Sequence, residues 1–209
     1  MRKLITALFI TTMICSLSYG QEKVIKLTTP DKTRGKTVMQ ALADRKSERE
    51  FKDQALSQRD LSDLLWAAVG VNRPDGKRTS PTAMNKQEIT VYAVLPEGAY
   101  KYEADKHQLT LIKAGDFRAA VAGQQDFVTK APVSLEIVSD TKQFGGDSKT
   151  YAWVDAGIVS QNINIFCAGV GLATVPRSSM DVKRLTEVLN LKDGEVPVLN
   201  NPVGYPIGN

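Results

Sequence analysis

The sequence predicts an α+β domain, because strand-like and helix-like patterns are interspersed along the chain. Runs rich in β-branched and aromatic residues, such as 88–95 and 131–140, have the length and composition of strands. Apolar residues spaced three and four apart, as in 57–69, predict amphipathic helices. The roughly 190 residues that follow the apolar start of the chain are enough for one domain with a sizeable core.

Residues 1–20, "MRKLITALFITTMICSLSYG", have the pattern of a secretory signal peptide. Arg2 and Lys3 precede an apolar stretch, and small residues lead up to the expected cleavage near Gly20. The stretch is short for a transmembrane helix and lacks a twin-arginine pair. We therefore expect export by the general secretory route, into the periplasm or out of the cell, and a single mature domain over residues 21–209.

Charge and cysteine content narrow the function classes. The full chain carries a net charge of +4 at pH 7, which falls by two when Arg2 and Lys3 are removed. A charge this small, without a basic stripe, argues against nucleic-acid binding. No other window is apolar enough to span a bilayer. Cys15 leaves with the signal peptide, so Cys167 has no partner for an intramolecular disulfide and is expected to be buried.

The first part of the mature chain is predicted to form an extended arm and two helices. The arm covers 21–34, and the helix that follows it ends near Asp44. Ser57 caps the second helix, and a glycine ends it. We interpret Asp60 and Asp63 of this helix as solvent-facing carboxylates.

A long loop, a hairpin and further helices and strands make up the rest of the chain. A loop as long as 71–87 is usually functional in a compact domain. The only histidine, His107, begins the return strand of the hairpin and has no partner for a metal site, so it is interpreted as structural. The longest helix is apolar around most of its circumference, which predicts burial by the core or by a partner subunit. The predicted elements are a strand at 88–95, a hairpin over 98–115, short helices within 116–131, a strand at 131–140, the long helix over 149–173, a short strand at 174–176, a helix at 180–191 and a last strand at 196–206.

Hydrolytic and metal-binding signatures are missing from the sequence. It has no pair of histidines, no Gly-x-Ser-x-Gly elbow and no glycine-rich phosphate loop. A single histidine does not support a Ser-His-Asp triad. If the chain is an enzyme, we therefore expect a cofactor to supply the chemistry.

The arginine segment, residues 45–51 ("RKSEREF"), has a pattern suited to an anion. In an extended backbone, successive side chains point to opposite faces, so Arg45, Ser47 and Arg49 share one face and Lys46 points away. Two guanidiniums beside a hydroxyl suit a phosphate, through charge-assisted hydrogen bonds. The alternative is two solvated charges with nothing bound.

Two further segments could contact a ring. The Ser-Pro loop, residues 80–85 ("SPTAMN"), contains small residues that let a backbone approach a flat ring, and Asn85 offers both a donor and an acceptor. The serine segment, residues 174–181 ("TVPRSSMD"), joins a strand end to a helix start, where open N–H groups can donate to an electron-rich heterocycle. A turn and a helix cap are the ordinary explanations of these two segments.

Together, the order and spacing of these segments resemble the flavin-dependent nitroreductase family, from about Thr37 to Pro206. "RKSEREF" is similar to the family's Arg-x-Ser-x-Arg-x-Phe phosphate-binding motif, and "SPTAMNKQ" to its Ser-Pro-Ser-Ala-x-Asn-x-Gln segment. "DAGIVSQNINIFCAGVGLATVP" resembles its central dimer helix and following strand, and "PVGYP" resembles its closing strand. The hairpin "YKYEADKHQLTLI" is similar to the branch that includes the azoline-forming, thiazole/oxazole dehydrogenases.

The resemblance implies a nitroreductase-like fold with a central mixed or antiparallel sheet flanked by helices, in an intertwined homodimer. It implies FMN in clefts built by both subunits. It also implies two-electron hydride transfer through flavin N5, in which a reduced donor, NAD(P)H or another, and a small oxidised acceptor react in turn. The residues it assigns to the cofactor are Arg45, Lys46, Ser47 and Arg49 for the phosphate and ribityl chain, Thr82, Ala83 and Asn85 for the ring, and Pro176, Arg177, Ser178 and Ser179 for the reactive edge, with a backbone N–H near Ser178 directed at N5.

Two departures and the signal peptide leave alternatives. Many family members carry a further basic phosphate ligand beyond the position of Asn209, and some have glutamate where this chain has Ser178. General secretion also threads an unfolded chain, and reduced nicotinamide is scarce outside the cytoplasm. An exported module that binds another phosphorylated or anionic ligand, or a structural homodimer with an empty cleft, are therefore the alternatives to an exported flavoenzyme.

Overall fold

The computed structural model describes residues 23–145 and 149–208, and the expected signal peptide lies outside them. A seven-stranded sheet forms the centre of this part of the chain. Its strands are β1 (Val24–Lys26), β2 (Ile89–Leu95), β3 (Gly98–Glu103), β4 (Gln108–Ala114), β5 (Val133–Asp140), β6 (Ala173–Thr174) and β7 (Glu195–Gly204). Their order across the sheet is β1-β4-β3-β2-β5-β7-β6, and all neighbours are antiparallel. The α+β prediction is confirmed, with the antiparallel form of the sheet.

The helices of the described residues are α1 (Val38–Asp44), α2 (Gln58–Val69), α3 (Arg118–Ala122), α4 (Lys149–Val170) and α5 (Val182–Val188). Ser57 caps α2 as predicted, because its hydroxyl accepts a hydrogen bond from the Asp60 N–H. Thr37 and Gln40 form a capping box that starts α1. None of these helices combines the length and apolarity needed to cross a membrane.

Two hydrophobic clusters cover the two faces of the sheet. Consecutive residues of β2 alternate between them, with Val91 in the first cluster and Tyr92 in the second. The first cluster packs α2 and α4 against the sheet, and the second packs α3 and α5. Cys167 of α4 lies fully buried in the first cluster, as predicted, and burial raises the pKa of its thiol.

The hairpin and the arm meet at one edge of the sheet. The predicted arm contributes β1, which pairs with β4. His107 lies in the hairpin turn, where its ring contacts the Tyr102 hydroxyl at 2.8 Å and the Thr28 carbonyl at 2.9 Å. These contacts tie the turn to the arm, so the structural role predicted for His107 is confirmed.

The interpretation of Asp60 and Asp63 as solvent-facing carboxylates is wrong. Asp63 is 2% exposed and accepts hydrogen bonds from the Asp31 N–H and from Arg34 Nη1, both at 2.9 Å. Asp60 accepts from Arg34 Nη2 at 2.7 Å and from the Tyr205 hydroxyl at 2.6 Å. Burial by itself raises the pKa of Asp60, but hydrogen bonds from the α2 cap, Tyr205 and Arg34 outweigh it and lower the pKa. Arg34 of the arm supplies the positive charge that pairs with both carboxylates, and the periodicity of the helix gives no sign of this partner.

Apolar side chains of α1 and α4 remain uncovered in the single chain. The core buries one side of α4, but its Trp153 and Val154 are 53% and 55% exposed. On α1, Val38 and Met39 are 66% and 75% exposed. The core therefore accounts for only part of the apolar surface that the sequence places on these two helices.

Candidate functional site

The arginine segment is extended, as its alternation predicts, and the rest of the fold holds its backbone. The Glu48 N–H donates to the Thr174 carbonyl at 3.0 Å, and the Lys52 N–H donates to the Tyr205 carbonyl at 2.8 Å. Phe51 is 4% exposed and packs into a small cluster below the segment. The segment therefore lies beside β6, where the serine segment begins.

The two faces of the arginine segment have different partners. Arg45, Ser47 and Arg49 are exposed, and their side chains have no hydrogen-bond or ion-pair partner among the described residues. On the opposite face, Lys46 and Glu48 form an ion pair with an N–O distance of 3.7 Å. These two line a cavity of about 340 Å³ between the ends of α1 and α4. The exposed face thus offers two uncommitted guanidiniums and a hydroxyl, which is a donor set suited to a phosphate.

The serine segment offers an open backbone donor next to this face. Pro176, Ser178 and Ser179 are exposed, and the Ser178 N–H makes no hydrogen bond within the described residues. The Ser179 carbonyl accepts from Asn200 Nδ2 at 3.3 Å, which holds the segment against β7. A ligand acceptor could therefore bind the Ser178 N–H without displacing a bond within the chain.

The Arg177 side chain, in contrast, is directed into the protein. It is 7% exposed, and its guanidinium donates to Gln125 Oε1 at 2.9 Å and to Asn200 Oδ1 at 2.7 Å. It also donates to the carbonyls of Val121 at 3.2 Å and Ala122 at 3.0 Å, near the end of α3. Its backbone N–H and carbonyl both pair with Asn200. Arg177 was expected beside the cofactor, but its polar groups are instead used to anchor the serine segment.

The Ser-Pro loop is held from α4. Thr82 and Ala83 are half-buried, Asn85 is exposed, and Ala83–Asn85 form a short 3-10 turn. The Ala83 N–H donates to Asp155 Oδ2 of α4 at 2.9 Å. The Asn85 side chain makes no hydrogen bond within the described part of the chain. Its amide is therefore uncommitted, and its contact with a ligand stays a prediction.

Within a single chain, the Ser-Pro loop lies far from the arginine and serine segments. Asp155 anchors the loop near the start of α4, whereas Ala168, near the end of α4, lines the cavity beside the arginine segment. A rise of 1.5 Å per residue places these two helix positions about 20 Å apart. The structure therefore brings the arginine and serine segments together and leaves the Ser-Pro loop at the other end of α4.

Sequence reasoning missed three buried carboxyl groups near these segments: Glu88, Glu136 and Asp155, each no more than 3% exposed. Glu136 lies in the apolar strand β5 beneath Arg177; burial raises its pKa to about 8, and the charge of Arg177 opposes that shift. The sequence contains one sign of these groups: a lone acidic residue within an apolar strand or helix. Such a residue is notable because unpaired carboxylates are rarely buried. The described residues contain no cluster of potential metal ligands.

Comparison with known proteins identifies the family of this chain. The family model of the nitroreductase family matches residues 42–205. A candidate nitroreductase of Methanocaldococcus jannaschii is 31% identical over 179 residues, which are 79% of this chain and 89% of the relative. The NAD(P)H-dependent FMN reductase of Bacillus subtilis is 25% identical over 187 residues, 81% of this chain and 66% of that protein.

A solved structure extends the likeness to three dimensions. The crystal structure of a candidate nitroreductase from Ralstonia eutropha superposes with a TM-score of 0.83 at 38% identity, over 89% of this chain and 90% of that chain. The family match spans most of the chain, including the arginine, Ser-Pro and serine segments. This chain belongs to the nitroreductase family of oxidoreductases.

Proposed function

We propose that this protein is an exported oxidoreductase that uses FMN. The observation that carries the proposal is the exposed face of Arg45, Ser47 and Arg49, which has no partner among the described residues, in a segment bonded through Glu48 to Thr174, four residues before the open Ser178 N–H. A phosphate and an electron-rich ring of one ligand would satisfy both groups. The Bacillus subtilis relative, named as an FMN reductase, supports FMN as that ligand.

The chain's own residues bind and orient the cofactor in this proposal. Arg45 and Arg49 neutralise the phosphate, and the Ser47 hydroxyl donates to it or to the ribityl chain. The Ser178 N–H donates to the reactive edge of the ring, while Thr82, Ala83 and Asn85 cover the ring face and limit the access of water. FMN, when bound, supplies two-electron hydride transfer through N5. We expect no side chain to act as an acid or base, since protons can come from solvent.

A homodimer completes the site in this proposal. The Ser-Pro loop lies about 20 Å along α4 from the arginine segment, by the helical rise of 1.5 Å per residue. A second copy can place its own loop over the first copy's arginine segment. The exposed apolar residues of α1 and α4, among them Met39 and Val154, provide surface for such an interface.

The substrates are proposed only by class. We expect a small reduced donor, NAD(P)H or another, and a small oxidised acceptor to react in turn at one site, with ping-pong kinetics. Export makes a donor other than NAD(P)H worth testing, because reduced nicotinamide is scarce outside the cytoplasm. Membership of the branch that contains the azoline-forming dehydrogenases stays a prediction.

The experiment is a visible absorbance spectrum of the purified mature protein, combined with FMN titrations. We expect yellow protein with flavin bands. The double substitution Arg45→Ala and Arg49→Ala removes two charge-assisted hydrogen bonds, so it should weaken binding by about 3 kcal/mol, roughly a hundredfold in Kd. Arg184→Ala removes an exposed arginine of α5 whose side chain pairs, among the described residues, only with Glu187, and it should bind FMN like the wild type.

The outcomes separate the alternatives. Flavin binding that survives the double substitution would show that the arginine segment does not hold the phosphate. Colourless protein whose melting temperature rises with another phosphorylated ligand would indicate a binding module, because a ligand that binds only the folded state stabilises it. Colourless protein that no flavin or phosphate stabilises would indicate a structural homodimer.

A further inference from the structure

Two buried carboxyl groups, Glu88 and Asp155, flank the Ser-Pro loop: Asp155 accepts the Ala83 N–H, and Glu88 comes three residues after Asn85. Each is 3% exposed, and neither carboxyl oxygen of Glu88 has a hydrogen-bond donor among the described residues. Glu88 directly precedes β2, and Asp155 lies in the first turns of α4. A buried carboxylate without a donor is costly, so this arrangement needs a physical explanation.

The loop beside these carboxyls has an unusual backbone. Met84, Asn85 and Gln87 have φ values of 52°, 53° and 52°. Residues other than glycine persist in this left-handed region only where surrounding contacts hold them. Inside the loop, the Gln87 N–H donates to Thr82 Oγ1 at 2.8 Å. From α4, Asp155 Oδ2 accepts the Ala83 N–H at 2.9 Å.

The pair therefore connects the loop to the helix on both sides. Asp155 accepts the N–H of Ala83, the first residue of the 3-10 turn. Glu88 is the residue directly after Gln87. Two ionised carboxylates in contact repel each other, most strongly where water is excluded. One proton removes the repulsion, because the acid O–H of one group can donate to the carboxylate of the other.

The charges around the pair favour a protonated Glu88. Burial is the largest cause and raises the pKa of Glu88 to about 7, and the neighbouring Asp155 carboxyl adds to the rise. The Glu88 backbone N–H and the Arg78 guanidinium oppose it. Arg78 is itself directed at the Ile89 carbonyl, to which Nη1 donates at 2.9 Å.

We propose that Glu88 and Asp155 share one proton, and that this proton positions the Ser-Pro loop for the ring of the cofactor. The identity of the ligand in this inference rests on the proposed function. The shared proton does not depend on it. When Glu88 loses the proton, its repulsion of Asp155 weakens the hold on the Ala83 N–H, and the loop loosens. Glu88 is a positioning residue here, since it acts through Asp155.

The sign of the stability effect follows from the raised pKa of Glu88. The stabilisation by the proton is complete below the ordinary value of 4.5, declines as pH rises towards about 7, and is absent above it. Glu88→Gln keeps a permanent donor to Asp155 and does not titrate. The melting temperature of this variant should therefore rise relative to the wild type across that pH range and then level off.

The first test measures thermal unfolding of the flavin-free mature protein against pH. Asp155→Asn still accepts the Ala83 N–H and donates to Glu88, so it should reduce the pH dependence without removing it, because burial still raises the pKa of Glu88. Glu97→Gln alters an exposed glutamate in the turn between β2 and β3, and its profile should follow the wild type. Parallel profiles of Glu88→Gln and the wild type would overturn the proposal.

The second test measures the FMN Kd by quenching of flavin fluorescence, one pH unit below and one above 7. The wild-type Kd for FMN should increase about tenfold over this range. A change of this size corresponds to FMN binding that shifts the pKa of Glu88 by about one unit. The Kd of Glu88→Gln should change by less than about twofold, and that of Asp155→Asn by less than that of the wild type, whereas loss of a merely structural contact would weaken binding equally at both pH values. A wild-type-like pH dependence in both variants would overturn the loop-positioning role.

A third measurement separates this inference from the proposed function. Near neutral pH, the infrared spectrum of the wild type should show a carbonyl band of a protonated carboxylic acid that Glu88→Gln lacks, in addition to the band of Glu136 that both proteins share. If the band that Glu88→Gln lacks is present and wild type binds no FMN at any pH, the proposed function fails and the shared proton stands. If FMN binds and that band is missing, the shared proton fails and the proposed function stands.

Discussion

At the scale of single residues, Asp60 and Asp63 derive their role from a partner far along the chain. Their spacing of three residues places both on one side of α2. Arg34 of the amino-terminal arm then donates to both, at 2.7 Å to Asp60 and at 2.9 Å to Asp63. Because the side chains of Asp60 and Asp63 are 12% and 2% exposed, removing Arg34 takes the nearest cation from two poorly solvated charges.

Arg34→Met should therefore destabilise the protein by about 3 kcal/mol, measured by chemical denaturation at neutral pH. Hydrogen bonds lower the pKa of Asp60, so its stabilisation is present above the ordinary carboxyl pKa and is lost as pH falls through the lowered value. The difference between Arg34→Met and the wild type should shrink on acidification over that range.

Arg59→Met is the matched control for this cluster. Arg59 is 60% exposed; it pairs with Asp31, a partner that also has solvent access, and only at 4.0 Å with Asp63 among the described residues. Exposed ion pairs contribute about 1 kcal/mol or less, so this substitution should have a small effect. An equal loss of stability in the two variants would show that burial does not set the strength of the cluster.

At the scale of elements, helices α1 and α4 show that apolar periodicity does not identify the surface that covers a helix face. The apolar spacing in α1 is real, yet only Ala41 of that helix is buried in the single chain. In α4, the residues facing the core include Ala156 and Ile163, whereas Trp153 and Val154 are exposed. Periodicity marks an apolar face, but which surface covers that face depends on the assembly.

Val154→Asp should shift the proposed homodimer towards monomer, because it places a charge in an apolar interface where it has no partner. Sedimentation velocity across a concentration series measures the effect. Val182→Asp is the matched control, since Val182 is similarly exposed, at 45% compared with 55%, and begins α5. Dimerisation that Val154→Asp leaves intact would exclude this part of α4 from the interface.

At the scale of the whole molecule, the expected export would determine where the proposed chemistry takes place. We expect the chain produced in a bacterial host with a periplasm to be found there, with a mass that starts at Gln21. Leu8→Arg interrupts the apolar stretch of the expected signal peptide, so it should leave the unprocessed chain in the cytoplasm. Cell fractionation with intact-mass measurement tests both forms, and an unprocessed cytoplasmic wild type would contradict export.

The sequence by itself was sufficient for the α+β class, most element positions and the extended arginine segment. Each of these depends on residues close together in the chain: alternation in 45–51, helical spacing in 57–69, and caps such as Ser57. Local patterns of this kind report the backbone conformation and the faces that the side chains share. They carry no information on which distant residue meets a given face.

Only the tertiary structure decided the partners of the charged residues. Arg177 was expected beside a cofactor, and its guanidinium instead meets Gln125, 52 positions away. Asp60 meets Tyr205, 145 positions away, and Ala83 meets Asp155, 72 positions away. A buried charge is stable only with a partner, and packing of the sheet and helices determines which partner lies within reach. The sequence therefore predicts the segments that form the candidate site, and the fold decides which side chains remain open to a ligand.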